Sequence, residues 1–282
     1  MDRGLVAGVR GGRRRQSRTR LVVMAASDVL YRLYERRLER GLAGETLPCH
    51  VGVILDGNRR YARARGLSSV SEGHRAGADK IPEFLDWCFE LDIPYVTLWL
   101  LSTDNLGRDD EELRHLLDII VTTVRDIATH PSTSARNLRV TAVGTLDALP
   151  DEVREALDAA SQATEGNDGF HVQIAVGYGG RQEITDALRS WLRDMEASGH
   201  SLEEAAATLQ PDHIGAYLYT SGLPEPDLII RTSGEVRLSG FLLWQSAHSE
   251  FYFCDPYWPD FRRVDFLRAL RDYASRARRF GR

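Results

Sequence analysis

The residues of this chain best suited to chemistry stand in short polar groups, each following an apolar run. Asp56-Gly57-Asn58-Arg59-Arg60 follows Val51 to Leu55, and Ser102-Thr103-Asp104-Asn105-Leu106-Gly107-Arg108 follows Tyr95 to Leu101. Arg231-Thr232-Ser233-Gly234-Glu235 follows Asp227 to Ile230, with Arg237-Leu238-Ser239-Gly240 close behind. Val176 runs into Gly177-Tyr178-Gly179-Gly180-Arg181, which opens a helical pattern. A carboxylate followed at once by a glycine, an amide and two guanidiniums suits a metal-bridged phosphate better than a packing role. Taken singly, each group also has a structural reading: Ser102 or Asp104 could cap a helix, and Arg231 could be half of an ion pair. Convergence decides between the two readings. Asp56, Arg60, Arg108, Arg231 and Arg237 on one edge of a sheet place many like charges together, which repel unless a polyanion sits among them.

That convergence requires a parallel sheet. Strand-like runs at Val51 to Leu55, Tyr95 to Leu101, Leu138 to Val143, Phe170 to Val176, Asp227 to Arg231 and Phe251 to Cys254 are separated mostly by helical patterns. The helices are expected at Ala76 to Glu90, Asp110 to Ile127, Glu152 to Ala163, Arg181 to Met195 and Val264 to Arg278. Alternation of this kind predicts a single α/β domain with a six-stranded, mainly parallel sheet covered by helices on both faces. In such sheets ligands bind beyond the carboxyl ends of the strands, where the following helix offers unpaired N–H groups and the positive end of its dipole. Ser132 to Arg136 and Gly199 to Ser201 read as the most dispensable loops.

The 282 residues suffice for a full core. A net charge of -5 leaves no excess of positive charge for a nucleic-acid backbone, so no nucleic-acid partner is expected. Lys80 is the only lysine, a sign of genome composition rather than of phosphate recognition. Cys49, Cys88 and Cys254 lie far apart without metal-ligand spacing and read as reduced thiols of a cytoplasmic protein. Residues 1–26 hold a basic stretch and a short apolar LVVMAA, too short for a secretory signal, and read as a disordered or wrongly included extension ahead of a domain at 27–282. From Ser27, a good N-cap, Leu30, Leu33, Tyr34, Arg37 and Leu38 fall at helical spacing up to Gly41. Core packing is the simple reading of that stripe, and peripheral contact with the inner face of the cell membrane is the functional alternative.

The blocks HVGVILDGNRRYA, LLSTDNLGR, VGYGGRQEI, DLIIRTSGEVRLSGFLLWQSAHSEFYF and WPDF together resemble, in order, the signature motifs of the cis-prenyltransferases, the undecaprenyl diphosphate synthase-like enzymes. The resemblance runs from about Leu47 to the terminal RRFGR. It implies a homodimer that condenses isopentenyl diphosphate onto an allylic diphosphate with Mg2+, forming a Z double bond. Block by block, it implies that Asp56 and Glu250 bind Mg2+. Gly57, Asn58, Arg59, Arg60 and His74 then hold the allylic diphosphate, with Arg108 and the Ser102, Thr103, Asp104 and Asn105 loop completing that side. Arg231, Arg237, Leu238 and Ser239 match the isopentenyl diphosphate site. Asn105 is the residue the family places near proton loss, but an amide is a very weak base, and orienting a water or the diphosphate that accepts the proton suits it better.

Departures from the family pattern carry their own expectations. Tyr61 and Leu106 stand where many members have tryptophan, Asp104 where glutamate is common, and Val236 where histidine is frequent. The Gly66 to His74 loop lacks a basic residue that long-chain members often carry. Leu100 stands where many long-chain members have a small residue, and packed interiors yield little to an overlong guest. Leu100 therefore predicts a short product, resembling actinobacterial enzymes that make Z-farnesyl diphosphate from geranyl diphosphate. The alternatives are a long-chain synthase, a non-catalytic partner subunit of such an enzyme, and a branched or cyclised monoterpenoid product. A trans-type synthase fails on spacing, because Asp109-Asp110 is followed by Glu111, Glu112 and Leu113 rather than a DDxxD pattern.

Overall fold

The computed structural model describes residues 31–107 and 110–280, with side chains to residue 276. Arg108, the Ser27 cap, Leu30 and the 1–26 extension lie outside the described residues. Six strands form one sheet: β1 (His50–Ile54), β2 (Tyr95–Ser102), β3 (Arg139–Val143), β4 (His171–Tyr178), β5 (Leu228–Arg231) and β6 (Glu250–Phe253). Their order is β3-β4-β2-β1-β5-β6, and every pairing is parallel. The expected architecture is thus present, and its strands start within a residue of where the apolar runs place them. A sheet buried on both faces needs continuous apolar strands rather than alternating ones, and all five residues of β1 are buried.

Helices flank the sheet. Residues 31–42 form α1, followed by α2 (Asn58–Arg65), α3 (Val70–Glu90), α4 (Asp110–Thr129), α5 (Pro131–Ala135), α6 (Asp151–Ala163), α7 (Gly180–Ala197), α8 (Leu202–Thr208), α9 (Pro211–Tyr217) and α10 (Arg263–Phe280). One face of the sheet packs Val51, Val53, Val96, Leu98, Val172, Ile174 and Ile230 against apolar residues of α3, α4, α6 and α10. On the other face a smaller cluster joins Ile54, Trp99, Val143, Ala175 and Ile229 to Phe241 and Leu242. Gly52 makes room for that cluster: a Cβ there would stand 3.0 Å from the Phe241 ring.

Several local expectations change. Helix α3 begins six residues before Ala76, because Ser69 accepts a hydrogen bond from the Glu72 N–H and caps the chain earlier than its apolar stripe starts. The segment expected as a dispensable loop at 132–136 lies largely in α5, and buried Thr133 donates its hydroxyl to the Ile127 carbonyl, so it is part of the packing. Gly199 to Ser201 is a tight connection rather than a free loop, since Ser201 and Glu204 form a reciprocal capping box for α8. In α1, Leu38 and Leu42 are buried whereas Leu33 is exposed, so the apolar stripe is narrower than its spacing suggests.

Candidate active site

Register sets the site. Ile54 lies opposite Trp99 on one side and Arg231 on the other, so the chain leaves β1, β2 and β5 at the same edge. Those three exits line one cleft of about 550 Å3, bounded by Asp56, Gly57, Asn58, Arg59, Arg60, Arg63, His74, Trp99, Leu100, Ser102, Asp104, Asn105, Arg231 and Ser239. Most of the residues that the sequence singled out for the allylic side converge here.

Helix α2 begins at the cleft because Gly57 takes φ 105°, a left-handed conformation in which a Cβ would stand 2.8 Å from Tyr257 and 2.9 Å from Ser233. No side chain caps α2 and no acidic residue lies in its first turn, so its unpaired N–H groups and dipole are free to face an anion. Asn58 donates to the Leu55 carbonyl at 3.3 Å, and Gly77 of α3 lets its amide pack closely, since a Cβ there would lie 2.4 Å from Asn58 Oδ1.

Asp56 is the electrostatic centre. Arg231 Nη2 donates to its Oδ2 at 2.8 Å and Arg60 Nη2 reaches its Oδ1 at 3.4 Å. Burial disfavours the charged carboxylate, but the hydrogen bond from Arg231 and the charges of Arg231 and Arg60 outweigh it and hold the group below its ordinary value. Arg231 is almost fully buried and also donates to Ser239 Oγ at 2.8 Å and to the Arg237 carbonyl. Arg60 donates to Ser233 Oγ at 2.6 Å and pairs with Glu235, which also pairs with Arg237. Two clusters of cations are therefore cross-linked by Asp56 and Glu235. The structural reading of Arg231 as half of an ion pair holds within this chain, and its partner is the site's own carboxylate.

The loop bearing Ser239 is fixed from behind. Gly180 N–H donates to the Gly240 carbonyl at 2.8 Å, and Glu183, fully buried in the first turn of α7, accepts from Tyr178, Gln245 and the Tyr219 N–H. Burial pushes the Glu183 carboxyl up, against the lowering effect of those hydrogen bonds. The GYGGRQE block thus supports the loop that carries Ser239.

Other expected residues fall elsewhere. Tyr61 lies under the Arg65 guanidinium, 5.4 Å from centroid to cation, and Thr103 packs against Gly179. Leu106 joins the main core and Leu238 the smaller one. Ser102 Oγ accepts from the Asn105 N–H at 3.2 Å and so closes the single turn at Thr103–Gly107 instead of capping the helix that begins at Asp110. Glu250 is not brought to Asp56. It opens β6, pairs in register with Leu228, and so sits level with Val51 at the opposite edge, where Arg276 binds its carboxylate at 2.8 Å. The sequence motif places Glu250 correctly in order, but strand direction in a parallel sheet sends it away from the carboxyl ends. Among the described residues no group of three His, Cys, Asp or Glu could hold a metal. One ionised carboxylate flanked by arginines instead fits a Mg2+ ion that takes its remaining ligands from phosphate oxygens and water.

Sequence reasoning missed Arg63, Trp99, Glu235 and Leu116 as lining or bridging residues. Arg63 was readable as the i+4 neighbour of Arg59 on one helix face. Leu100 and Leu101 both reach the α3 and α4 side through an irregularity in the β2–β4 pairing between Trp99 and Leu101, which strict strand alternation does not predict.

Residues 54–281 match the family described as "Putative undecaprenyl diphosphate synthase". The match spans most of the chain, and the chain belongs to this family, the cis-prenyltransferases. It is 60% identical over 252 residues to (2Z,6E)-farnesyl diphosphate synthase of Thermobifida fusca, covering 89% of this chain and 97% of that protein. It is 56% identical over 253 residues to isoprenyl transferase 1 of Streptomyces avermitilis, covering 90% and 96%. Among solved structures, lavandulyl diphosphate synthase from Lavandula x intermedia, in complex with dimethylallyl diphosphate, is similar at TM-score 0.73 and 32% identity, covering 81% of this chain and 95% of that one. The expected family and enzyme class are thereby established.

Proposed function

We propose that this enzyme condenses isopentenyl diphosphate with geranyl diphosphate to give a fifteen-carbon Z,E-farnesyl diphosphate. The observation that carries the short product is the end of the cleft at Leu100. Behind it, between α3 and α4, lies a cavity of only about 30 Å3, lined by Leu55, Ala78, Ile81, Leu116, Ile119 and Trp258 among others. That is room for about two waters, not for a further isoprene unit. The similarity to a (2Z,6E)-farnesyl diphosphate synthase supports the same reading.

The chemistry follows from charge placement. The α2 N-terminus with Arg59, Arg60 and His74 would take the allylic diphosphate, and Arg231, Arg237 and Ser239 the isopentenyl diphosphate. As the allylic C–O bond breaks, negative charge grows on the departing diphosphate, where preorganised donors stabilise it most. A Mg2+ ion at Asp56 would add charge neutralisation at the same oxygens. The isopentenyl double bond attacks the allylic carbon, and the proton lost from the resulting cation passes to the diphosphate, which Asn105 orients. The edge strand β6, with Phe251, Tyr252 and Phe253 half-buried, supports a homodimer built on that side. No helix among the described residues is long and apolar enough to cross a membrane.

Incubating purified protein with isopentenyl diphosphate and dimethylallyl, geranyl or farnesyl diphosphate, with and without Mg2+, tests the proposal. A Mg2+-dependent fifteen-carbon product from geranyl diphosphate is expected. Chains of fifty carbons, or no condensation with any primer, would overturn it.

A further inference from the structure

Glu112 has no part in the chemistry described above, yet it contacts two of the residues assigned to the allylic diphosphate. It lies in the first turn of α4, where Oε2 is 3.5 Å from Arg59 Nη2 of α2 and Oε1 is 3.5 Å from His74 Nε2 of α3. One carboxylate thus ties three helices together through two residues that line the cleft. His74 and Glu112 are largely buried, with 8% and 18% of their side chains exposed, so the contact is only partly screened by water. Leu116, one turn further along α4, lines both the cleft and the small cavity behind Leu100.

We infer that Glu112 is a built-in competitor for the allylic diphosphate, occupying Arg59 and His74 when the site is empty and reclaiming them after reaction. The inference rests on the assignment of these two residues to the allylic half of the site. A diphosphate and a carboxylate present the same chemistry to a guanidinium and an imidazole, namely anionic oxygen acceptors. They cannot both hold these donors at full strength. The competition matters most at the end of turnover. Condensation breaks the allylic C–O bond, the electron pair leaves with the oxygen, and the new chain carries the diphosphate of the isopentenyl unit. The group left on Arg59 and His74 is therefore inorganic diphosphate, a small and highly charged ion that such a site would otherwise release slowly. Glu112 is a positioning residue in this role, acting through Arg59 and His74 and touching no reacting atom.

Glu112→Gln keeps the shape and removes the charge. Inorganic diphosphate with Mg2+ is the probe, measured by calorimetry and as an inhibitor competing with the allylic substrate. The variant is expected to bind inorganic diphosphate about two- to fivefold more tightly, within the range of a partly screened ion pair. KM for the allylic substrate falls with it, and kcat falls because the leaving group is retained. A purely structural role would instead lower Tm and raise KM. Glu112→Asp, which keeps the charge on a shorter arm, should show a smaller gain in the same direction. Wild-type binding of inorganic diphosphate with unchanged or weaker binding in both variants would overturn the role of Glu112 alone. Failure of the wild type to bind inorganic diphosphate at all would overturn the assignment of the allylic half as well.

Discussion

Replacing Leu100 by alanine should lengthen the product, and the structure sets the scale. Leu100 lines both a cleft of about 550 Å3 and a cavity of about 30 Å3, as do Leu55, Asn58, His74 and Leu116. Counting each lost carbon as roughly one water's share of liquid volume, about 30 Å3, truncation opens on the order of 90 Å3 and joins the two spaces. On the same count the opened space is about three-fifths of the room one five-carbon unit requires. A unit so accommodated gains up to about 4 kcal/mol at roughly 0.8 kcal/mol per buried carbon, enough for elongation to compete with release. Beyond it Ile81, Ile119 and Trp258 still close the crevice, so the shift should stop near twenty carbons. The fold should survive: a half-buried leucine at a cleft wall loses about 1–2 kcal/mol, less than the roughly 2–5 kcal/mol typical of a fully buried one. Product identification after dephosphorylation, by chromatography and mass, reads the outcome. An active variant with an unchanged fifteen-carbon product would refute the reasoning and place the block elsewhere.

Three further outcomes follow from the same geometry. Asp56→Asn should lower kcat by about 10²–10³-fold, the usual cost of removing one preorganised charge-stabilising group, with a much smaller change in thermal stability; steady-state kinetics and calorimetry on the same sample check both. Gly57→Ala places a Cβ at φ 105° against Tyr257 and Ser233, and should cost about 1–3 kcal/mol in denaturant unfolding while weakening allylic substrate binding. Stability should fall with acidity between about pH 6.5 and pH 4. Burial, with the charge of Arg139, lowers His171 from 6.5 to about 4 in the folded chain. The unfolded chain therefore binds a proton in that window that the folded chain refuses, and the stabilisation present above pH 6.5 is lost on the way down. Unfolding midpoints across that range, flatter in His171→Gln, check the sign.

Much of the fold was legible because a parallel sheet demands apolar runs and crossover helices, and both leave a local signature. The carboxyl-edge site was legible for the same reason, since Asp56, Ser102 and Arg231 each follow such a run directly. The position of Glu250 was not, because a motif fixes order along the chain but not which end of a strand a residue occupies. Leu101 and Leu100 share a side through a pairing irregularity that no alternation rule contains. Glu112, Glu183 and Glu235 escaped because each has partners distant in sequence. Arg59 and His74, Gln245 and the Tyr219 N–H, and Arg60 meet these carboxylates only once helices and loops are assembled.

The most direct test of the two-diphosphate account is a crystal structure with Mg2+, isopentenyl diphosphate and a non-ionising thiolo analogue of geranyl diphosphate. The account predicts the allylic diphosphate on the α2 N-terminus with Arg59, Arg60 and His74, the isopentenyl diphosphate on Arg231 and Ser239, and the ten-carbon tail ending against Leu100. An allylic diphosphate bound away from Asp56, or a tail running past Leu100 into the space between α3 and α4, would contradict it.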